Sequence, residues 1–163
     1  MTASSEVSMV GRPLPDFDLV LDSGTPVTST DLRSKWTVVY VYPKDNTPGC
    51  TIEAHEFTEL LPKFTKIGVA VYGLSQDSVK SHEKFVSDCS IGFPLISDPS
   101  HSLIEALGAW GERSMYGKTY MGALRNTYLV NPEGVIVHEW LEVTAKGHAQ
   151  EVLDEVTSRI SAD

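Results

Sequence analysis

Two cysteines occur among the 163 residues, and the first of them, Cys50, follows directly on Thr47, Pro48 and Gly49. In YPKDNTPGCTIEAHEF (residues 42–57) an apolar run gives way to a helix-like pattern, so the thiol sits where a strand hands over to a helix. Thr47 is a good N-cap type, and Pro48 suits the first helical position, where a missing N–H costs nothing. Cys50 then meets the unpaired N–H groups of the first turn and the positive end of the helix dipole, both of which favour a thiolate. Gly49 keeps side-chain bulk away from the sulfur. The chemistry such a seat supports is nucleophilic attack by sulfur.

Magnitudes say what else is needed. An ordinary thiol ionises near pH 8.5 and is only a few per cent thiolate at neutral pH. Bringing it to about 6 takes about 3.4 kcal/mol, and a helix end supplies about 0.3–2 kcal/mol. A guanidinium about 4 Å away contributes about 4 kcal/mol at an effective dielectric of 20, before desolvation. The thiol therefore demands an arginine from elsewhere in the chain.

The elements that must position these groups follow from periodicity. Phe17 to Leu21 reads as a short strand, with Asp22 to Pro26 as the turn after it. WTVVYVY, Trp36 to Tyr42, suits a strand buried on both faces. Further strands are predicted within 67–74 (VAVYGL) and at 93–96, and 127–130 with 135–140 flank Asn131-Pro132-Glu133-Gly134 as a hairpin. Phe57, Leu60, Leu61, Phe64 and Ile67 mark one helix face, which Pro62 should kink or interrupt. Residues 78–88, 100–107 and 149–160 are the other helices. This order implies an α/β fold, a central mixed β-sheet with helices on both faces, and it fits a thioredoxin-like fold better than a nucleotide-binding one. No strand leads into a GxGxxG or GxxxxGK loop.

Nothing divides the chain, which is expected to be one domain over residues 1–163 with 1–10 a loosely ordered tail. The formal charge of −9, from 22 acidic against 13 basic residues, argues against nucleic acid and anionic membranes as partners. The N-terminus lacks the features of a secretory signal and no apolar run suits a membrane span, so a cytoplasmic address is the default. Two cysteines are too few for a disulfide scaffold and point to reactive thiols or a metal.

Pro43-Lys44-Asp45-Asn46-Thr47-Pro48-Gly49-Cys50-Thr51 resembles the active-site loop of the peroxiredoxins, and YPKDNTPGCT is similar to the bacterioferritin comigratory protein (peroxiredoxin Q) subgroup. Residues 93–99 (FPLISDP), 110–113 (WGER), 115–118 (MYGK) and 124–130 (LRNTYLV) agree with it. The resemblance implies a thioredoxin fold with an extra N-terminal β-hairpin. It implies a peroxidase acting on hydrogen peroxide and organic hydroperoxides, without a cofactor or metal. Cys50 would be the peroxidatic cysteine, with Pro43, Thr47 and Arg125 completing its pocket. Arg125 then answers the demand for a cation. Glu53 would orient Arg125 or cap the helix start, although an exposed first-turn acid needs no function. Thioredoxin or a similar dithiol protein is the implied reductant, and a monomer or weak dimer the implied state.

Many members of the subgroup carry a resolving cysteine five residues after the peroxidatic one, where this chain has His55. Some resolve from the next helix, and Cys89 lies near the end of that segment, which implies a Cys50–Cys89 disulfide. The two Cα atoms must come within about 7 Å, so local unfolding around both is expected. Alternatively Cys89 merely ends a helix and an external thiol resolves Cys50. His55 could act as a base but reads as a surface imidazole, and His82, in the polar pattern KSHEK, as solvated. A zinc site from Cys50, His55, His82 and Cys89 lacks the usual ligand spacing. Trp110, Tyr116 and Tyr120 either frame an entrance or pack. Against a protein disulfide oxidoreductase stands the absence of Cys-x-x-Cys, since Glu53 occupies its last position. Against a holdase stands the lack of an exposed apolar stripe.

Overall fold

The computed structural model of the chain describes residues 8–161. Its organising element grows from the WTVVYVY run, buried from Thr37 to Tyr42 because the strand runs mid-sheet with both faces covered. In chain order the first elements are β1 (Asp18–Leu21), β2 (Pro26–Thr28), a 3-10 turn (Ser29–Leu32), β3 (Trp36–Val41), α1 (Pro48–Lys66), β4 (Val69–Ser75) and α2 (Val79–Cys89). Then come β5 (Leu95–Ser97), α3 (Ser102–Ala106), β6 (Trp110–Met115), β7 (Lys118–Ala123), β8 (Thr127–Val130), β9 (Ile136–Trp140) and α4 (His148–Ser161).

Seven strands form one mixed sheet in the order β2-β1-β5-β4-β3-β8-β9, with β3, β4 and β5 parallel to one another and every other pairing antiparallel. Side chains alternate across it, as period 2 requires. Val38 and Tyr40 join Phe57, Phe64, Phe85 and Val152 in the core under α1, α2 and α4. Val39 and Val41 join Leu74, Ile96, Ile104 and Tyr128 in the core under α3. The N-terminal hairpin of β1 and β2 is present, and Pro26, read as the end of its turn, is the first residue of β2.

Three expectations change. α1 continues through Pro62 without interruption. Pro62 lies on the exposed face, where water can take the carbonyl it leaves free, and buried Phe57 and Phe64 pin the helix on either side of it. Residues 1–7 of the expected loose tail lie outside the described residues, but residues 9–13 are held. Met9 and Leu14 are buried, the Gly11 N–H donates to the Ile136 carbonyl at 2.8 Å, and Pro13 bridges to Val135. Finally, residues 110–123, given no element from periodicity, form a β-hairpin, Trp110 opposite Ala123 and Met115 opposite Lys118. It turns on Tyr116 (φ 52°) and Gly117 (φ 78°), two positive-φ positions as in a primed turn. Tyr-Gly is a weaker signal for such a turn than Asn-Gly, and exposed Lys118, Thr119, Tyr120 and Met121 break the apolar alternation.

Candidate active site

Cys50 lies in the first turn of α1 and is 1% exposed. Thr47 takes the N-cap position with extended backbone (φ −93°, ψ 155°), and its carbonyl accepts the first helical bond from the Thr51 N–H at 2.9 Å. Its hydroxyl caps nothing and instead donates to the Lys44 carbonyl at 2.8 Å, closing the loop from Pro43 on itself. First-turn N–H groups beside the sulfur are thereby left for an anion.

Arg125 arrives from the segment between β7 and β8. Its backbone is held on both sides: the Val143 N–H donates to the Arg125 carbonyl, and the Val41 N–H donates to that of Asn126. The guanidinium bridges two acceptors. Nη2 donates to Cys50 Sγ at 3.5 Å, and Nη1 donates to Glu53 Oε1 at 2.7 Å. Burial works against the Arg125 charge, but the Cys50 sulfur and the Glu53 carboxylate outweigh it and hold its pKa above the ordinary value.

Glu53 is fully buried and no exposed first-turn acid. Burial pushes its carboxyl up to about 7; Arg125 opposes that rise, and Oε2 has no hydrogen-bond partner among the described residues. The side chain's hydrogen bond goes to Arg125 and not to the helix start. Gly49 also does something other than clear the sulfur: a Cβ there would stand 2.9 Å from Arg125 Nη2. It leaves room for the guanidinium.

The loop is braced from α2. Asp45, buried, accepts from the Tyr42 hydroxyl at 2.6 Å and the Ser81 hydroxyl at 2.8 Å, and lies 2.7 Å from His82 Nδ1. His82 Nε2 lies 3.0 Å from the Ile96 carbonyl, and the Asp45 N–H donates to Asp77 at 2.8 Å. His82 is therefore not solvated, as the polar stretch around it implied, but fully buried. Its neighbours Lys80, Glu83 and Lys84 face water, because one helix turn spans both environments.

A cavity of about 290 Å³ opens over this arrangement. Pro43, Thr47, Gly49 and Arg125 line it, together with Lys44, Arg113 and Tyr120. Tyr40 lies behind the site, its ring stacked on Phe57 with centroids 4.6 Å apart. Burial, then the negative charges of Glu53 and Cys50, push its hydroxyl well above the ordinary pKa and keep it neutral.

Residues 10–139 match the AhpC/TSA family. The chain belongs to that family. It is 45% identical over 138 residues to Peroxiredoxin Bcp of Xanthomonas campestris, covering 85% of this chain and 86% of the relative. With Peroxiredoxin Bcp of Bacillus subtilis it shares 39% identity over 144 residues, covering 88% and 92%. The solved structure of the Xanthomonas campestris bacterioferritin comigratory protein matches with a TM-score of 0.84 at 42% identity, over 88% of this chain and 92% of that one.

The other candidates fall around this peroxiredoxin site at varying distances. Cys89 is the last residue of α2, half-buried and unpaired, and Cys50 is likewise a free thiol. Just beyond it the Gly92 N–H donates to the Thr58 hydroxyl at 3.3 Å, so the end of α2 meets α1 eight residues past Cys50, about 12 Å along the axis. His55 is exposed and paired with Glu59 at 3.5 Å. Trp110 packs against His101 with ring centroids 3.9 Å apart, Tyr116 is exposed at the hairpin tip, and of the three aromatics Tyr120 alone lines the cavity. Arg113 and the Asp45–His82 pair escaped the sequence reading. Among the described residues no helix is long and apolar enough to cross a membrane.

Proposed function

We propose that the chain is a thiol-dependent peroxidase in which the Cys50 thiolate attacks the distal oxygen of a hydroperoxide. The observation that carries this is the Arg125 guanidinium shared between Cys50 Sγ at 3.5 Å and Glu53 at 2.7 Å, over an open cavity. As the S–O bond forms the O–O bond breaks. Sulfur is oxidised by two electrons to the sulfenic acid, and the leaving alkoxide takes up a proton as water or an alcohol. Arg125, the Thr47 hydroxyl and the first-turn N–H groups align the two oxygens and stabilise the charge on the leaving one. Pro43 shields the sulfenic acid. The Xanthomonas campestris relative is described by its alkyl peroxide reduction activity, which supports organic hydroperoxides as substrates alongside hydrogen peroxide.

Cys89 condenses with the sulfenic acid, releasing water and forming a Cys50–Cys89 disulfide, and a dithiol protein such as thioredoxin reduces it. The separation at α1 requires the first turn of α1 and the end of α2 to unfold locally, and both are short helix termini. The competing reading has an external thiol resolve Cys50.

The test follows NADPH consumption with hydrogen peroxide or an alkyl hydroperoxide, thioredoxin and thioredoxin reductase. Peroxide-dependent turnover is the expected result; insulin reduction without peroxide consumption would replace the proposal with a disulfide oxidoreductase. One equivalent of peroxide should remove two thiols and leave a monomer on a non-reducing gel. A lasting sulfenic acid would reject Cys89 as the resolving thiol.

A further inference from the structure

We infer that the cavity beside Cys50 selects organic hydroperoxides bearing a carboxylate, with Arg113 and Lys44 holding the carboxylate while Arg125 and Thr47 hold the peroxide end. The inference rests on the peroxidase reading and names its substrate class. Size comes first. A volume of about 290 Å³ is room for about ten waters at about 30 Å³ each, far more than hydrogen peroxide fills. Charge comes second. The cavity is lined by three cationic side chains, Lys44, Arg113 and Arg125, and by no acidic one, in a chain whose net charge is −9.

Arg125 is already engaged with Cys50 and Glu53, so the excess lies with the other two cations. Among the described residues neither Lys44 nor Arg113 makes an ion pair. Arg113 is held, not loose. Its Nη1 donates to the Ala123 carbonyl at 3.0 Å across the β6–β7 hairpin, while its buried Nε has no partner among the described residues. Gly122 makes this placement possible, because a Cβ there would meet Arg113 Cδ at 3.2 Å and the Tyr120 ring at 3.3 Å. A half-buried guanidinium fixed by one bond, with donors to spare, is suited to a carboxylate, which can accept two parallel N–H bonds. Pro43, Tyr120 and Ala123 supply apolar wall for the carbon chain between the two ends.

The carboxylate takes no part in electron transfer. Cys50 sulfur still attacks the distal oxygen, the O–O bond still breaks, and the protonated product is a hydroxy acid beside the sulfenic acid.

The experiment compares a short tertiary hydroperoxide carrying a terminal carboxylate with its methyl ester, each reacted with reduced protein in a rapid-mixing measurement of Cys50 oxidation. The acid should react about tenfold faster at low ionic strength, equivalent to about 1.4 kcal/mol, with the advantage shrinking as salt is added. Arg113→Gln should bring the acid-to-ester ratio toward one, and Arg113→Lys should restore part of it. Lys44→Gln changes an exposed side chain and should lower the same ratio. Because each ratio is taken within one variant, a partly folded preparation does not distort it. Equal rates for acid and ester in the unaltered protein, or a ratio insensitive to Arg113→Gln, would overturn the inference and leave the peroxidase reading standing. If neither compound oxidises Cys50, the peroxidase reading itself fails.

Discussion

Gly49→Ala should slow peroxide attack without harming the fold. The missing Cβ would lie 2.9 Å from Arg125 Nη2 and 3.6 Å from Cζ, and the first of these is closer than real contacts allow. Relief is cheap for stability, because the atom displaced is the far end of a flexible side chain. It is costly for chemistry, because that end holds the sulfur at 3.5 Å. A retreat of about 1 Å lowers the attraction between unit charges from about 4.7 to about 3.7 kcal/mol at an effective dielectric of 20. Losing about 1 kcal/mol from the transition state slows the reaction about fivefold. Alanine is the better helix former, so the thermal midpoint should hold or rise. The rate is read by rapid-quench alkylation of the Cys50 thiol after mixing with peroxide. Arg125→Met should be slower still, and adding Gly49→Ala to it should change nothing more, since the two act through one contact. An unaltered rate for Gly49→Ala, or a full further loss in the Arg125→Met background, would refute the argument.

Three other outcomes follow from the same geometry. Burial raises the Glu53 carboxyl from 4.5 to about 7, so the neutral form it favours stabilises the fold below about pH 4.5 and that contribution is lost as pH rises through 7. The unfolding free energy of the unaltered protein minus that of Glu53→Gln should therefore fall by about 2–3 kcal/mol between pH 5 and pH 8 in urea titrations, and a difference independent of pH would count against it. His82→Ala leaves Asp45 buried without its 2.7 Å partner and should lose about 3–5 kcal/mol of stability, visible as a much lower thermal midpoint; melting like the parent would mean the pair holds nothing. Cys89→Ser should keep the first oxidation of Cys50 yet lose turnover with thioredoxin, whereas unchanged turnover would assign resolution to an outside thiol.

Much of the scaffold was legible because its signals are local. A β-branched run marked the buried strand of Trp36–Val41, and Thr47-Pro48 marked the start of α1 within a residue. The two-residue hairpin turn at Tyr116-Gly117 was not, since its residue types advertise it weakly and its second strand carries exposed Tyr120 and Met121. Pro62 misled for the opposite reason. Its propensity is strong, but packing on both sides of it decides the helix.

By itself the sequence determined that a thiol stands at a helix start and that its chemistry requires a distant cation, because backbone geometry and Coulomb's law act through near neighbours and known charges. Which groups share that cation, why Gly49 must lack a side chain, and where His82 lies were decided only in three dimensions. Glu53 and Arg125 are 72 residues apart, Asp45 and His82 are 37 apart, and Arg113 reaches the cavity only because a hairpin folds over it. Burial, which turns an ordinary glutamate and histidine into structural partners, is a property of the packed chain and of no single stretch of it.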